Sequence, residues 1–575
     1  MRRNLSFSSG LLSIFFLISS AAAAEQSMML KAMDSELQRS FKALHSAGEA
    51  PLYYLSYHVT DKRQRNLGAA YGAITSDSDT RSRILDISCR VGDYRLDNTK
   101  EIRGESDFDF MGRRPARLPL DDNELAIRTI IWEKTDEAFK DAQERYTKIK
   151  TNEEVLAERE DTSADFSQEK PNRYIDQTVG VEFDPAAWGE KIRAWSAIFK
   201  DYPFVQTSSV ELSLTNDNRY FVDSDGSQIQ TGQSYARLFL RCSGAASDGM
   251  EIDRYQGFDS DLPDGLPSSE IVEKNIHRLV DELQALINAP LAEPYSGPAI
   301  LVNRASGVYF HEIFGHRIEG HRQKSETEGQ TFARKVGESI LPNFISVYDN
   351  PSMKDYNGQF LRGYYKYDDE GVTAQPVTVV DNGVLRNFLM SRSPIINFSH
   401  SNGHGRTQGG MDVVSRQANL IVKSTREFPF DTLLAMLAAE CRSQGKPYGL
   451  IFYDISGGFT QTGRYGPQSF KVIPLLVFRY YADGRPMEPI RGVDIVGTPL
   501  SSFEKIIATG NDYETFNGTC GAESGWVPVS ATSPSILVSQ VEVEKKAKEQ
   551  EKPPILTPPY NPDKPEGIDR LEVEQ

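Results

Sequence analysis

Cysteine is scarce in this chain: Cys89, Cys242, Cys441 and Cys520 are all there are in 575 residues, with no CxxC pair and no close spacing. A disulfide-stapled scaffold is therefore excluded, and if Cys520 serves another purpose at most one disulfide can form. Basic residues are also in deficit, 64 against 81 acidic, for a formal charge of −17. Such a balance argues against nucleic acid or an anionic membrane as partner and reads as a solubilising surface. No uninterrupted apolar run beyond the N-terminus reaches the roughly 18 residues a transmembrane helix needs. There is no convincing internal repeat. Histidine is rare as well, eight in the whole chain, so a spaced pair of them carries information.

That pair is His311 and His316, with Glu312 beside the first, in a segment where Phe310, Ile313 and Phe314 form a helical apolar stripe. The apolar run Ala299 to Val302 reads as a strand, and Asn303 and Arg304 as the turn before the helix. Two neutral imidazoles can ligate a Zn²⁺-like ion while the adjacent carboxylate accepts a proton from an activated water. The spacing is i, i+5, which on an ideal helix rotates the second side chain about 140° from the first. A turn widened towards π geometry would bring the two back to one face, and Gly315 has the permissive backbone for it. A chance HExxxH is expected in roughly one chain in a hundred of this composition, so the apolar context matters more than the pattern alone.

Further motifs follow in order: Ser401-Asn402-Gly403-His404-Gly405-Arg406, Val496-Gly497-Thr498-Pro499, Gly510-Asn511-Asp512, Asn517-Gly518-Thr519-Cys520-Gly521 and Trp526-Val527-Pro528-Val529. Together with an HExxxHxxEG segment running from His311 to Gly320, they make the C-terminal half resemble the TldD/PmbA family of metallopeptidases. The resemblance implies that His311 and His316 are metal ligands, that Glu312 is the general base, and that Cys520 is the third ligand. A catalytic zinc needs three protein ligands and one open position, which two histidines do not complete. Cys520 lies between Gly518 and Gly521, read here as a flexible turn able to approach an ion; a buried small hydrophobe or half of a disulfide is the alternative reading. Glu319 fits the HxxEG position and can accept a hydrogen bond from a ligand histidine. His321 departs from the acidic residue expected near that place, and it or Glu319 would be the next ligand candidate if Cys520 failed. His404 and Arg406, in a glycine-rich loop, are candidates to bind a developing oxyanion or a substrate carboxylate, or else belong to a solvated loop. His45, His58, His277 and His400 have no ligand spacing.

Residues 1–24 read as a secretory signal: Arg2 and Arg3, an apolar run from Leu11 to Ile18, and Ala22-Ala23-Ala24 as a cleavage site. The expectation is an exported protein, periplasmic or secreted, with no transmembrane span in the mature chain. Export is a departure from the family's best-known members.

The expected fold class is α+β. An N-terminal mixed domain is expected over 25–297, with helices near Met28 to Ala47, after Asp121-Asp122-Asn123-Glu124, around Ile192 to Phe199, and from Glu270 to Asn288. Strands are expected at Leu52 to Val59, Ile84 to Val91, Ser209 to Leu214, Arg219 to Val222 and Tyr235 to Cys242, with Asp225-Gly226 as a hairpin turn and a charged helical insertion near 140–170. A largely β catalytic domain is expected over 298–544, and a Lys, Glu and Pro-rich disordered tail over 545–575.

These readings converge on a metallopeptidase with one divalent ion, most simply zinc. The resemblance further implies small or unfolded peptides as substrate, and a homodimer or a heterodimer with a related subunit lacking the motif. Two other classes stay open: a non-catalytic peptide-binding partner subunit, and a metal-dependent amidase or deacylase of the cell envelope.

Overall fold

The computed structural model describes residues 25–102, 115–153, 161–181, 183–466, 469–497 and 502–546. The signal reading of 1–24, the tail reading from 547 onward, and Thr498-Pro499 of one motif lie outside these residues.

The first half is a seven-stranded sheet. Its spine is the antiparallel order Ala73–Val91, Leu52–Ala70, Thr207–Asp223, Gln228–Ala245 and Glu251–Ser260. The first hairpin is longer than expected. Leu52–Ala70 and Ala73–Val91 each run 19 residues, continuing past Val59 because cross-strand pairs such as Arg63 with Asp79 and Arg81 with Asp61 replace apolar alternation as the pairing signal. Asp225-Gly226 falls in the turn between Thr207–Asp223 and Gln228–Ala245, with Gly226 at φ 107°.

Four helices pack on this sheet. Met28–Leu44 and Glu124–Glu153 cover the first two strands, and Asn123 Oδ1 accepts from Ala126 N at 3.0 Å to cap the second helix. Pro185–Ala197 and Ser269–Ile287 share a core with Leu212, Leu238 and Cys242. The charged stretch from Lys140 stays helical to Glu153, with Phe139, Ala142 and Ile149 buried on one stripe.

In the second half, Tyr295–Leu301, Tyr448–Thr460, Phe470–Tyr481, Val493–Gly497 and Ile536–Lys545 pair in succession, and the last pairs back onto the first, closing a ring. Beside it lies a six-stranded sheet ordered Val384–Leu385, Val377–Asp381, Ile345–Asp349, Asn419–Ser424, Gly525–Ser533 and Glu514–Ala522. The helix Asn303–Ile313 follows Tyr295–Leu301 directly and packs between ring strands and the outer hairpin 514–533. Every residue from Ala305 to Ile313 is buried, so the apolar stripe widens to the full circumference, as a helix between two sheets requires. The architecture is α+β and mostly strand. All four cysteines are buried and unpaired.

Candidate metal centre

The i, i+5 spacing is resolved by ending the helix rather than by the π-type turn anticipated from the sequence. The last α-helical bond runs from Phe314 N to Phe310 O at 3.0 Å, after which Gly315–Ile318 form a 3₁₀ turn and Arg317 N bonds Phe314 O at 2.9 Å. The chain leaves the helix axis at Phe314, and His316 folds back beside His311 with ring centroids 5.1 Å apart and planes at 74°. Gly315 serves a different purpose from the one expected, since its φ is not positive. A Cβ there would collide with the Gln417 side-chain amide, whose Nε2 donates to His311 O at 3.4 Å. Arg317 closes the helix end, donating from Nη1 to Ile313 O at 2.9 Å and to Thr460 Oγ1 at 2.7 Å.

Cys520 does not sit in a turn. It lies within the strand Glu514–Ala522, paired with Val527 of the returning strand. Strand alternation turns Thr519 and Gly521 outward and the thiol inward, against Val527 and Val529. Its Sγ is 3.4 Å from His316 Nε2, and the donor atoms of His311, His316 and Cys520 all lie within 4.8 Å of one another. Adjacent N and S ligands of a tetrahedral zinc at usual bond lengths are separated by about 3.5 Å. The set is thus close to the spacing that such an ion imposes.

Behind the donors is a buried carboxylate with three cationic neighbours. Glu319 Oε2 accepts from His316 Nδ1 at 3.2 Å and from Arg322 Nε at 2.9 Å, while Arg416 Nε stands 3.6 Å from its Oε1. This fixes the His316 tautomer with its proton on Nδ1, leaving the Nε2 lone pair for a ligand role. Burial alone would push Glu319 up, but His316 and Arg322 hold it well below the usual carboxylate range. Burial likewise raises the Cys520 thiol, and His316 and His311 outweigh it, drawing it well below its ordinary value. Burial would lower both imidazoles, but the thiolate raises them. Glu312 differs: burial is its largest influence and pushes its carboxyl up. Its Oε2 is 4.0 Å from His316 Nε2, and Gly458 packs so closely that a Cβ there would come within 2.8 Å of Glu312 Cγ.

These groups open onto a cavity of about 1060 Å³. Its walls come from both halves of the chain: Arg237, Tyr255 and Asp259 from the N-terminal sheet, Gly457 to Thr460 from the ring, and the whole strand Glu514–Ala522.

The remaining candidates are placed elsewhere. His321 turns away from the donor cluster to pair through Nε2 with Glu523, which also takes Arg322 Nη2 at 2.7 Å. His404 and Arg406 neither face the cavity nor lie in a solvated loop. His404 is fully buried between Asn402 and Asp349, with Nδ1 2.9 Å from Asn402 Oδ1 and Nε2 3.3 Å from Asp349 Oδ1. Arg406 donates to Gln417 O at 2.6 Å and lies over the Tyr365 ring. Both brace the segment that carries Arg416 and Gln417. Those two residues were not singled out from the sequence, and neither spacing nor pattern marks them; Arg317 and Arg322, next to the motif, could have been found by proximity.

Residues 294–545 match the family model described as PmbA/TldA metallopeptidase C-terminal domain. The chain is 28% identical over 268 residues to a metalloprotease of Archaeoglobus fulgidus, covering 46% of this chain and 57% of that protein. It is 25% identical over 268 residues to the zinc metalloprotease TldD homolog of Saccharolobus solfataricus, covering 46% and 54%. It therefore spans little more than half the length of these curated relatives. TldE from Thermococcus kodakarensis has the same fold, with a TM-score of 0.56 over 89% of this chain and 100% of that one at 14% identity. Over residues 294–545 the chain is thus similar to the metallopeptidases of the TldD/PmbA family.

Proposed function

We propose that the protein is a zinc-dependent peptidase in which His311, His316 and Cys520 hold the ion and Glu312 is the general base. The observation that carries the reading is the convergence of two imidazoles and a thiolate within 4.8 Å at the wall of a cavity, with a carboxylate of raised pKa beside them. A zinc ion bound there supplies Lewis-acid activation of a peptide carbonyl and of water. Glu312 accepts the proton of the attacking water and returns it to the leaving amine, a task for which a carboxylate pushed up by burial is suited. Glu319 keeps the Nδ1 proton of His316 in place, so that Nε2 stays a lone-pair donor. The cavity's strand-lined walls suit an extended, unfolded peptide rather than a folded protein.

By the same reading the protein works after export, directed by residues 1–24, and as a dimer with itself or with a related subunit. The proposed domain division is 25–297 and 298–544, with the strand Tyr295–Leu301 straddling the boundary.

Elemental analysis of the purified chain tests the ion, with about one zinc per chain expected. Glu312→Gln should keep the zinc and lose hydrolysis of a peptide library. Native-rate hydrolysis by that variant would remove Glu312 from its role.

A further inference from the structure

The far end of the cavity holds a cation without a hydrogen-bonded partner. Arg304 stands in the first turn of the helix Asn303–Ile313, where the helix dipole disfavours positive charge. Its guanidinium makes no hydrogen bond among the described residues. Its nearest carboxylate oxygen, Asp454 Oδ1, is 3.9 Å away, while the other oxygen of that carboxylate takes Arg254 Nη1 at 3.2 Å. Asp259, the next acid in this corner, is gripped by Arg237 through both oxygens at 2.8 and 2.9 Å. Glu514, also lining the cavity, is pushed up by burial against the opposing pull of Arg304. The guanidinium is thus half-buried at the cavity wall, kept charged by Asp454, Glu514 and Asp259, and its donors remain free to take a ligand.

Its place relative to the metal centre is set by the helix. Arg304, Val308 and His311 fall on one face and all line the cavity. The seven-residue step from Arg304 to His311 is about 10.5 Å along the axis, which an extended peptide covers in about three residues. Phe516, whose ring lies 5.9 Å from the Arg304 guanidinium carbon, floors this stretch.

We propose that Arg304 is a carboxylate anchor, binding either the C-terminal carboxylate of a peptide or an acidic side chain about three residues from the attacked bond. The planar fork of the guanidinium takes both oxygens of a carboxylate, which an amide cannot offer. The substrate class rests on the peptidase reading above, but the anchoring itself does not require turnover.

The test is binding, measured by fluorescence anisotropy on full-length zinc-loaded Glu312→Gln protein with three labelled, otherwise neutral hexapeptides: a free acid, its carboxamide, and the carboxamide with one internal Glu. Binding of the free acid or of the Glu peptide about tenfold tighter than the plain amide is expected, and which of the two does so identifies the source of the carboxylate. Adding Arg304→Gln should erase that ratio while leaving plain-amide affinity unchanged; Arg304→Lys should restore part of it. Equal affinity for all three peptides, binding of none, or an undiminished ratio in the Arg304→Gln protein overturns the anchor. If parent protein hydrolyses no peptide yet shows the Arg304-dependent ratio, the peptidase reading fails and the anchor stands.

Discussion

His316 Nε2 lies 3.4 Å from Cys520 Sγ, and both groups are buried. The thiol and imidazole thereby share a charge: the sulfur is drawn towards thiolate and the ring towards imidazolium, each against its own desolvation. In the other three cysteines burial acts unopposed or nearly so, pushing Cys89 and Cys242 up to about 12 and Cys441 to about 11.

Stripping the metal should therefore make Cys520 the reactive thiol. With chelator present at pH 7, iodoacetamide is expected to modify Cys520 at least about tenfold faster than the other three, and added zinc should protect it. Peptide mass spectrometry reads both effects. Uniform labelling, or labelling of Cys520 that zinc does not slow, would remove it from the ligand set.

Removing the carboxylate behind His316 should weaken the metal rather than the chemistry. Glu319→Ala is expected to lower zinc affinity about 10–100-fold in a chelator competition. It should also destabilise the fold, because Arg322 and Arg416 lose a buried partner. Glu312→Gln should leave zinc affinity within a few-fold of the parent. Equal affinity in Glu319→Ala and parent would show that His316 needs no such support.

At Gly307 the helix lies against the outer hairpin, and a Cβ there would come within 2.6 Å of Ala531 O. Backbone cannot swing aside as a long side chain can. Gly307→Ala should cost about 1–3 kcal/mol by pushing the helix from the strand next to the one bearing Cys520, and should loosen zinc binding as well. Gly180→Ala, with nothing within 4 Å of the added carbon, is the control expected to change little in urea unfolding. Equal stability of the two variants would mean the helix can shift freely.

A pH dependence follows from Asp86, which reaches from the first hairpin to accept Gly410 N at 2.6 Å while its other oxygen makes no hydrogen bond and lies 3.8 Å from His58 Nδ1. Burial pushes its carboxyl up to about 7. The folded value lies above the unfolded one of about 3.9, so the folded state binds the proton more tightly. This contribution to stability is complete below about pH 4 and is lost as pH rises through 7, with an upper bound of about 4 kcal/mol. Asp86→Asn should flatten the profile between pH 4 and 8 and exceed the parent in stability at pH 8. Parallel profiles for the two proteins would show that Asp86 titrates normally.

What the sequence disclosed, and what it hid, divides along local and non-local signals. The helices were legible from apolar spacing and caps such as Asn123, and His311, Glu312 and His316 from a short motif. Cys520 was reached through resemblance, while its strand setting was missed because the flanking glycines suggested a turn; pairing with Val527 overrides that preference. The extended hairpin was underread because its distal pairs are ionic. The route of the chain from His311 to His316 depends on Gln417 filling the space above Gly315, a tertiary contact with no trace in local pattern. His404 and Arg406 looked like loop chemistry because glycines surround them, yet Asp349, Gln417 and Tyr365 draw them inward.

The second histidine and the cysteine stand 204 residues apart, so the cysteine's strand is synthesised long after the helix that carries the histidines. No ion can be gripped by all three donors until the outer hairpin has been synthesised and zipped against the helix. Whichever compartment hosts that final step thus decides which metals compete for the centre. A protein finished in one place could carry a different ion from the same protein finished in another, with no change in its sequence.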